Sequence, residues 1–349
     1  MRIAILQTPY LDAVWWYRLQ PWSVLARQTG AQISVLSIES PNAFRYVIGS
    51  YDVLIVSRPH NNKHLTAIKA AKQQGVKIVA DYDDDIWDIP NDNPASRSNN
   101  DENFQYNSFI ALDAADVVIS STPELQKQIK ERFGRDSVII RNAYNDIALT
   151  PDLSNRKQEG EWINVRIAWR GSNTHKGDLL SAREAFRDYT GIHFKFFGYR
   201  PDELLKQHGG NISYFEHAHW KEDVIESFQM VREWNPDYLI YPLQDLTFNK
   251  CKSNIAWIEA TACGAVCIAP SYMPEFEAVP CLSYMNTDHL IDSLEAIDSG
   301  LTNGDILKEA RQELINNYLL SNVNQLRVDV LNMMTSVEVE GTREGGHRL

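Results

Sequence analysis

Short runs dominated by Val, Ile and Leu recur along the chain between longer segments of helical periodicity. This alternation, present twice, constrains the fold more than any other feature. In the first half the runs are RIAILQTP (2–9), AQISVLSI (31–38), YDVLIVSRP (51–59), VKIVADYD (76–83), ADVVISST (115–122) and SVIIRN (137–142). Nearly continuous apolar content marks strands covered on both faces. The segments at about 12–27, 61–74, 104–114 and 123–133 supply the cover. A parallel, doubly wound α/β sheet follows.

The pattern lapses over 146–162, a stretch rich in Asp, Asn, Pro and Gly that reads as a linker. It restarts with VRIAWRG (165–171), HFKFFGY (193–199), ISYFEHA (212–218), YLIYPLQ (238–244), AVCIAPS (265–271) and CLSYM (281–285). Helical stretches at 178–190, 221–235, 253–263 and 286–299 alternate with these runs, and 303–336 reads as a further helix before a polar tail. The expected division is 1–150, 151–310 and 311–349. At roughly 150 residues per domain, 349 residues hold two domains and an appendage.

Asp and Glu number 46 against 34 Lys and Arg, a net charge of -12, which argues against broad attraction to nucleic-acid phosphates but leaves a local basic groove open. MRIAILQTPY lacks the apolar stretch and cleavage site of a signal peptide. No apolar run approaches the roughly 18 residues that span a bilayer. A cytoplasmic protein with no integral membrane segment is expected. Cys251, Cys263, Cys267 and Cys281 form no CxxC and read as reduced, buried thiols.

Ligands of doubly wound sheets bind at the carboxyl ends of the strands, and two such sheets that face one another share a cleft there. In WRGSNTHKGDLLSA (169–182), Arg170, Gly171, Ser172 and Lys176 surround a strand-to-helix turn with cations and amides suited to a diphosphate. In FNKCKSNIAWIEATACGAVCIAPSYMPEF (248–276), Lys250 and Lys252 precede a helix with Ser253 at its N-cap, and Gly264 ends it. That helix carries Glu259 among apolar residues, and a carboxylate there needs partners: the hydroxyl pair of a ribose, or an ion pair.

Together these two segments resemble the donor half of GT-B glycosyltransferases, especially the retaining, nucleotide-sugar-dependent enzymes related to glycogen synthases and mannosyltransferases. Arg170, Lys176 and Gly177 match the first family motif with one extra residue between Arg and Lys, and Glu259, Ala262 and Gly264 match the end of the Glu-x7-Glu motif. Cys251 stands where that motif has its first, sugar-contacting glutamate. The resemblance implies two facing Rossmann-like domains with a C-terminal helix that returns to brace the first. It implies transfer of a sugar from a nucleotide diphosphate sugar, a UDP-sugar foremost, to a hydroxyl acceptor. Arg170 and Lys176 would face the diphosphate, with the amides near Ser253 and Asn254 joining them, and Glu259 would hold the ribose.

DYDDDIWDIPNDNP (81–94) places Asp81, Asp83, Asp84 and Asp85 at a strand end, where mutual repulsion raises carboxylate pKa values and suits either a cation or a general base. By the resemblance, Asp83, Asp84 or Asp85 takes the acceptor's proton if the reaction inverts. Mg2+ or Mn2+ is compatible with the cluster but not required, because cations and helix dipoles can neutralise the leaving diphosphate. His60 follows another strand and is a further acid–base candidate. Tyr10, Trp16 and Arg18 are the acceptor-side candidates, with Trp15, Tyr17 and Trp22 on the same first helix. His217 and His219 end a strand in the second half. The acceptor stays open between a glycan and, as in the phage enzymes of this architecture, hydroxymethylated DNA in an infected host. A non-catalytic nucleotide-sugar-binding protein is the alternative that Cys251 favours.

Overall fold

In a computed structural model of the chain, residues 1–7, 12–37, 39, 41–96, 102–151, 164–207, 215–219 and 223–341 are described. The chain forms two compact units. The first comprises Met1–Asp83, Asp101–Arg141 and Leu320–Leu349, and the second Asp84–Asn100 and Asn142–Leu319.

The first unit holds β1 (Arg2–Gln7), β2 (Gln32–Ser37), β3 (Val53–Ser57), β4 (Lys77–Tyr82), β5 (Val117–Ser120) and β6 (Val138–Ile139). They are all parallel, in the order β2-β1-β3-β4-β5-β6. Burial explains the run of Val and Ile: Ile3, Ile5, Leu54, Ile55, Val56, Ile78 and Val79 are all buried. Local capping fixes where helices begin. Asn61 accepts from the His64 amide at 3.0 Å ahead of Asn62–Gln73, and Thr122 accepts from the Leu125 amide at 3.1 Å ahead of Pro123–Phe133. The strand order reverses between β1 and β3, which makes their carboxyl ends the crevice of this sheet.

The second unit holds β7 (Val165–Gly171), β8 (Ile192–Gly198), β9 (Phe215–Ala218), β10 (Tyr238–Ile240), β11 (Val266–Pro270) and β12 (Leu282–Tyr284), again all parallel, in the order β12-β11-β10-β7-β8-β9. Its crevice lies at the carboxyl ends of β7 and β10. Helix Ile255–Ala262 packs through Ala256, Trp257, Ile258 and Ala260 into the core. Gly264, at φ 77°, then turns the chain into β11.

The structure departs from the sequence reading in several places. The helix expected over 178–190 is Lys176–Ser181 followed by the 3-10 turn Arg183–Ala185, which tucks Ala185 and Phe186 into the core. The helix expected over 303–336 breaks at Leu319, which is extended and forms a parallel bridge with Tyr144. It is Gly304–Glu313, a π-helical turn Leu314–Tyr318, and then Leu320–Gly341. That last helix belongs to the first unit, where Asn324 Nδ2 donates to the Pro21 carbonyl at 3.3 Å and the Arg327 guanidinium lies 5.7 Å above the Trp22 ring. Between the two units' shares of the chain, the acidic run is cut at Asp83 and Asp84.

Candidate functional site

The carboxyl ends of β7 and β10 in the second unit bring Arg170 and Tyr241 together, with the guanidinium 5.7 Å from the ring centroid. Arg170 Nε and Glu259 Oε2 are 2.7 Å apart, with side chains 14% and 9% exposed. The carboxylate that the sequence left between a ribose and an ion pair is therefore paired in the free protein, with a cation at the sheet's crevice. Lys252 lies with its Nζ 4.2 Å from the Phe248 ring centroid and 3.6 Å from Asp84 Oδ2. The 84–96 segment also meets the turn after β7, where Asn93 Nδ2 donates to the Thr174 carbonyl at 3.2 Å.

Helix Ile255–Ala262 starts at the same edge. Its N-cap is Asn254, not Ser253: the Asn254 carbonyl accepts from the Trp257 and Ile258 amides at 2.9 and 3.0 Å, and no side chain caps the helix. The Ser253 hydroxyl instead accepts from Asn142 Nδ2 at 2.7 Å. Asn254 is buried, and its Nδ2 has no hydrogen-bond partner among the described residues. A buried donor left unbonded costs about 1–3 kcal/mol, so an unbonded amide beside the first N–H groups of a helix favours an incoming acceptor such as a phosphate oxygen.

The expected cations part company here. Lys176 turns outward and pairs with Glu203 at 2.5 Å, and Lys250 pairs with Asp245 at 2.7 Å on the surface. Gly171 is buried, with no room for a Cβ against the Trp169 ring, and Ser172 bonds within its own turn to Thr174. His217 Nε2 contacts the Gly198 carbonyl at 3.0 Å and its ring meets His219 edge-on.

In the first unit, the residues expected to act together are separated into individual partnerships. Arg18 and Asp81 form a fully buried ion pair at 2.7 Å, and Arg18 also donates to the Ile140 carbonyl at 2.7 Å. Trp16 is 7% exposed. Neither Arg18 nor Trp16 is placed to stack on an acceptor, because helical spacing turns them into the core. Tyr10 lies outside the described residues. Asp83 pairs with Arg58 at 2.5 Å; burial pushes its carboxyl up, but Arg58 outweighs this and holds it below the usual range. In the second unit, Asp84 faces Lys252, and Asp85 is buried and accepts from the Trp87 amide at 3.3 Å. Arg18, Arg58 and Lys252 thus face Asp81, Asp83 and Asp84, although burial, with a smaller push from Asp83, still raises the Asp81 pKa. Among the described residues no three His, Cys, Asp or Glu side chains converge on a metal position.

At the β3 end of the first unit's crevice, His60 is half-buried and stacked on Phe104 at 4.6 Å. Its Nδ1 contacts the Arg58 carbonyl at 2.5 Å, which requires the proton on Nδ1 and leaves Nε2 as the basic nitrogen. Arg58 presents that carbonyl from a left-handed conformation, φ 43°. Burial lowers the His60 pKa.

No family model and no curated protein matches the sequence. Solved structures do match by shape. HepE of Anabaena, solved with UDP and glucose, superposes with a TM-score of 0.70 at 12% identity over 95% of this chain and all of that one. T4 phage BGT, solved with UDP-glucose, gives 0.52 at 18% identity over 97% and 98%. The Neisseria meningitidis UDP-GlcNAc 2-epimerase bound to UDP-GlcNAc gives 0.53 at 12% over 95% and 100%. This chain has the GT-B fold. Its two six-stranded parallel sheets were both legible in the sequence as strand runs.

Within this GT-B chain the sequence reading passed over His175 and Asp178. His175 Nδ1 meets Asp178 Oδ2 at 3.2 Å, and Asp178 Oδ1 accepts from the Gln244 amide at 3.0 Å and Asn249 Nδ2 at 2.7 Å. The signal was present as the i, i+3 spacing of His and Asp in THKGD, one residue before the lysine that drew attention.

Proposed function

We propose that the chain is a glycosyltransferase that moves a sugar from a nucleotide diphosphate sugar, a UDP-sugar foremost, to a hydroxyl acceptor. The observation that carries this reading is the Arg170–Glu259 pair at the β7–β10 crevice, its arginine part-exposed and its carboxylate buried, with Lys252 and the unbonded Asn254 amide at the adjoining helix start. The donor diphosphate takes Arg170, Lys252 and the helix amides, and the ribose hydroxyls take Glu259. As the bond from the sugar to the diphosphate breaks, charge grows on the departing oxygen, and fixed cations and amides there stabilise it. The acceptor hydroxyl gives up its proton as the new glycosidic bond forms. Within the first unit, His60 Nε2 is a better candidate base than Asp83, which Arg58 holds ionised and weakly basic.

A second reading, nucleotide-sugar binding without transfer, is favoured by Cys251, which is fully buried where the resembled family has its sugar-contacting glutamate. One experiment separates them. The protein is incubated with UDP-, GDP- and dTDP-glucose, with and without hydroxymethylated DNA or glycan acceptors, and both nucleotide release and label transfer are followed. Release and transfer support the transferase; protection against thermal unfolding without turnover supports binding alone; neither response to any donor overturns both.

A further inference from the structure

The His175–Asp178 pair is built more heavily than a turn needs. Both side chains are largely buried, 17% and 9% exposed, and three donors fix the Asp178 carboxylate: the His175 ring, the Gln244 amide and Asn249 Nδ2. With Nδ1–H given to Asp178, the ring has Nε2 left over. The groups around it are Asp178 on its own helix, Arg170 at the end of β7, Tyr241 after β10 with its ring 5.6 Å away, and Lys252 ahead of helix Ile255–Ala262. Asp84 lies 3.6 Å from the Lys252 ammonium and Glu259 2.7 Å from the Arg170 guanidinium. Burial and the two cations keep the ring neutral in the free protein, although Asp178 pulls the other way.

A diphosphate inverts that balance. Two negative charges placed among Arg170, Lys252 and His175 offset both cations and make a third positive charge favourable. We propose that His175 takes up a proton at Nε2 when a nucleoside diphosphate group enters this crevice, and donates that N–H to it while Asp178 holds the opposite edge of the ring. This rests on the donor-site reading above. The proton comes from solvent, one N–H bond forms, and nothing is oxidised or reduced. The neutral ring cannot donate from Nε2, because its only proton is on Nδ1. The arrangement therefore makes donor affinity depend on pH through this chain's own residue.

The sign follows from linkage. The histidine pKa is higher in the complex than in the free protein, so binding consumes a proton, affinity rises as pH falls, and the gain is lost as pH rises through the pKa of the complex. The change approaches tenfold per pH unit inside the window between the two values.

The test is calorimetric titration with UDP-, GDP- and dTDP-glucose from about pH 5.5 to 8.5, a range over which a diphosphate diester does not titrate. Each pH is measured in two buffers of different ionisation enthalpy, so that protons are counted directly. Wild type is expected to take up close to one proton in the sensitive range, His175→Gln to bind with a flat pH profile, and Asp178→Asn to shift the window downward. A bound nucleotide sugar with no proton uptake, or a slope that survives in His175→Gln, overturns the proposal and leaves the donor reading standing. No binding of any nucleotide sugar at any pH overturns both.

Discussion

The Arg18–Asp81 pair of the first unit and the Arg170, Glu259 and Lys252 set of the second differ in how fully they are closed off from solvent. In the first unit, Arg18 and Asp81 are sealed from solvent, while Asp83 pairs with Arg58, whose side chain is 30% exposed. In the second, Arg170 keeps partial exposure beside the buried Glu259, Lys252 sits 3.6 Å from its nearest carboxylate, and the Asn254 amide is unbonded. The contrast teaches how to tell charges that hold a fold from charges that await a ligand. A sealed pair has nothing left to offer, whereas a loose, part-exposed set at a topological switch point can exchange its partners.

Removing one member of the sealed pair should have the largest effect. Arg18→Met leaves Asp81 buried without its guanidinium and should lower unfolding stability by about 3–5 kcal/mol, measured by urea denaturation, with nucleotide affinity unchanged while the protein is folded. His60→Gln should reduce turnover by about 100-fold and leave the nucleotide dissociation constant where it was. Steady-state kinetics beside calorimetry checks this, and equal losses in both would move His60 out of the acceptor role.

The second unit offers a sharper contrast between two lysines. Lys252→Met should weaken nucleoside diphosphate binding on the order of 50-fold, the worth of a charge-assisted contact. Lys176→Met should change it by less than about twofold, because Lys176 already faces Glu203 on the surface. A further expected effect is a pH dependence of stability. His64 is buried, and burial first and the nearby His60 second push its pKa down to about 3. A histidine depressed in the fold contributes stability that is present above its unfolded value and lost as pH falls. Between pH 7 and 5 the loss should be about 2 kcal/mol, and His64→Gln should flatten it.

Much of the fold was legible because parallel strands buried on both faces write themselves as unbroken Val and Ile runs. All six runs of each half became strands. Helices were less legible where tertiary contacts overrode local periodicity: Leu319 is apolar and periodic like its neighbours, but its bridge to Tyr144 ends the helix there. The site was read in its residue types but not in its pairings. A strand end drew attention to Arg170, and the helix over 253–263 to Lys252 and Glu259, yet one-dimensional spacing could not tell that Lys176 turns outward and Lys252 inward. The same limit applied to the acidic run, since four carboxylates adjacent in sequence look like one cluster until the chain is seen to divide between Asp83 and Asp84. Arg18 misled for a different reason: an arginine among tryptophans suggests a stacking surface, and only the buried Asp81 across the sheet explains it.

Titration of UDP into wild type, Lys252→Met and Lys176→Met addresses the central claim, that the β7–β10 crevice of the second unit is a nucleoside diphosphate site. The account predicts binding to wild type and to Lys176→Met with similar constants, and a loss on the order of 50-fold in Lys252→Met. Binding that is indifferent to Lys252 but lost with Lys176, or no binding to the wild-type protein, would contradict it.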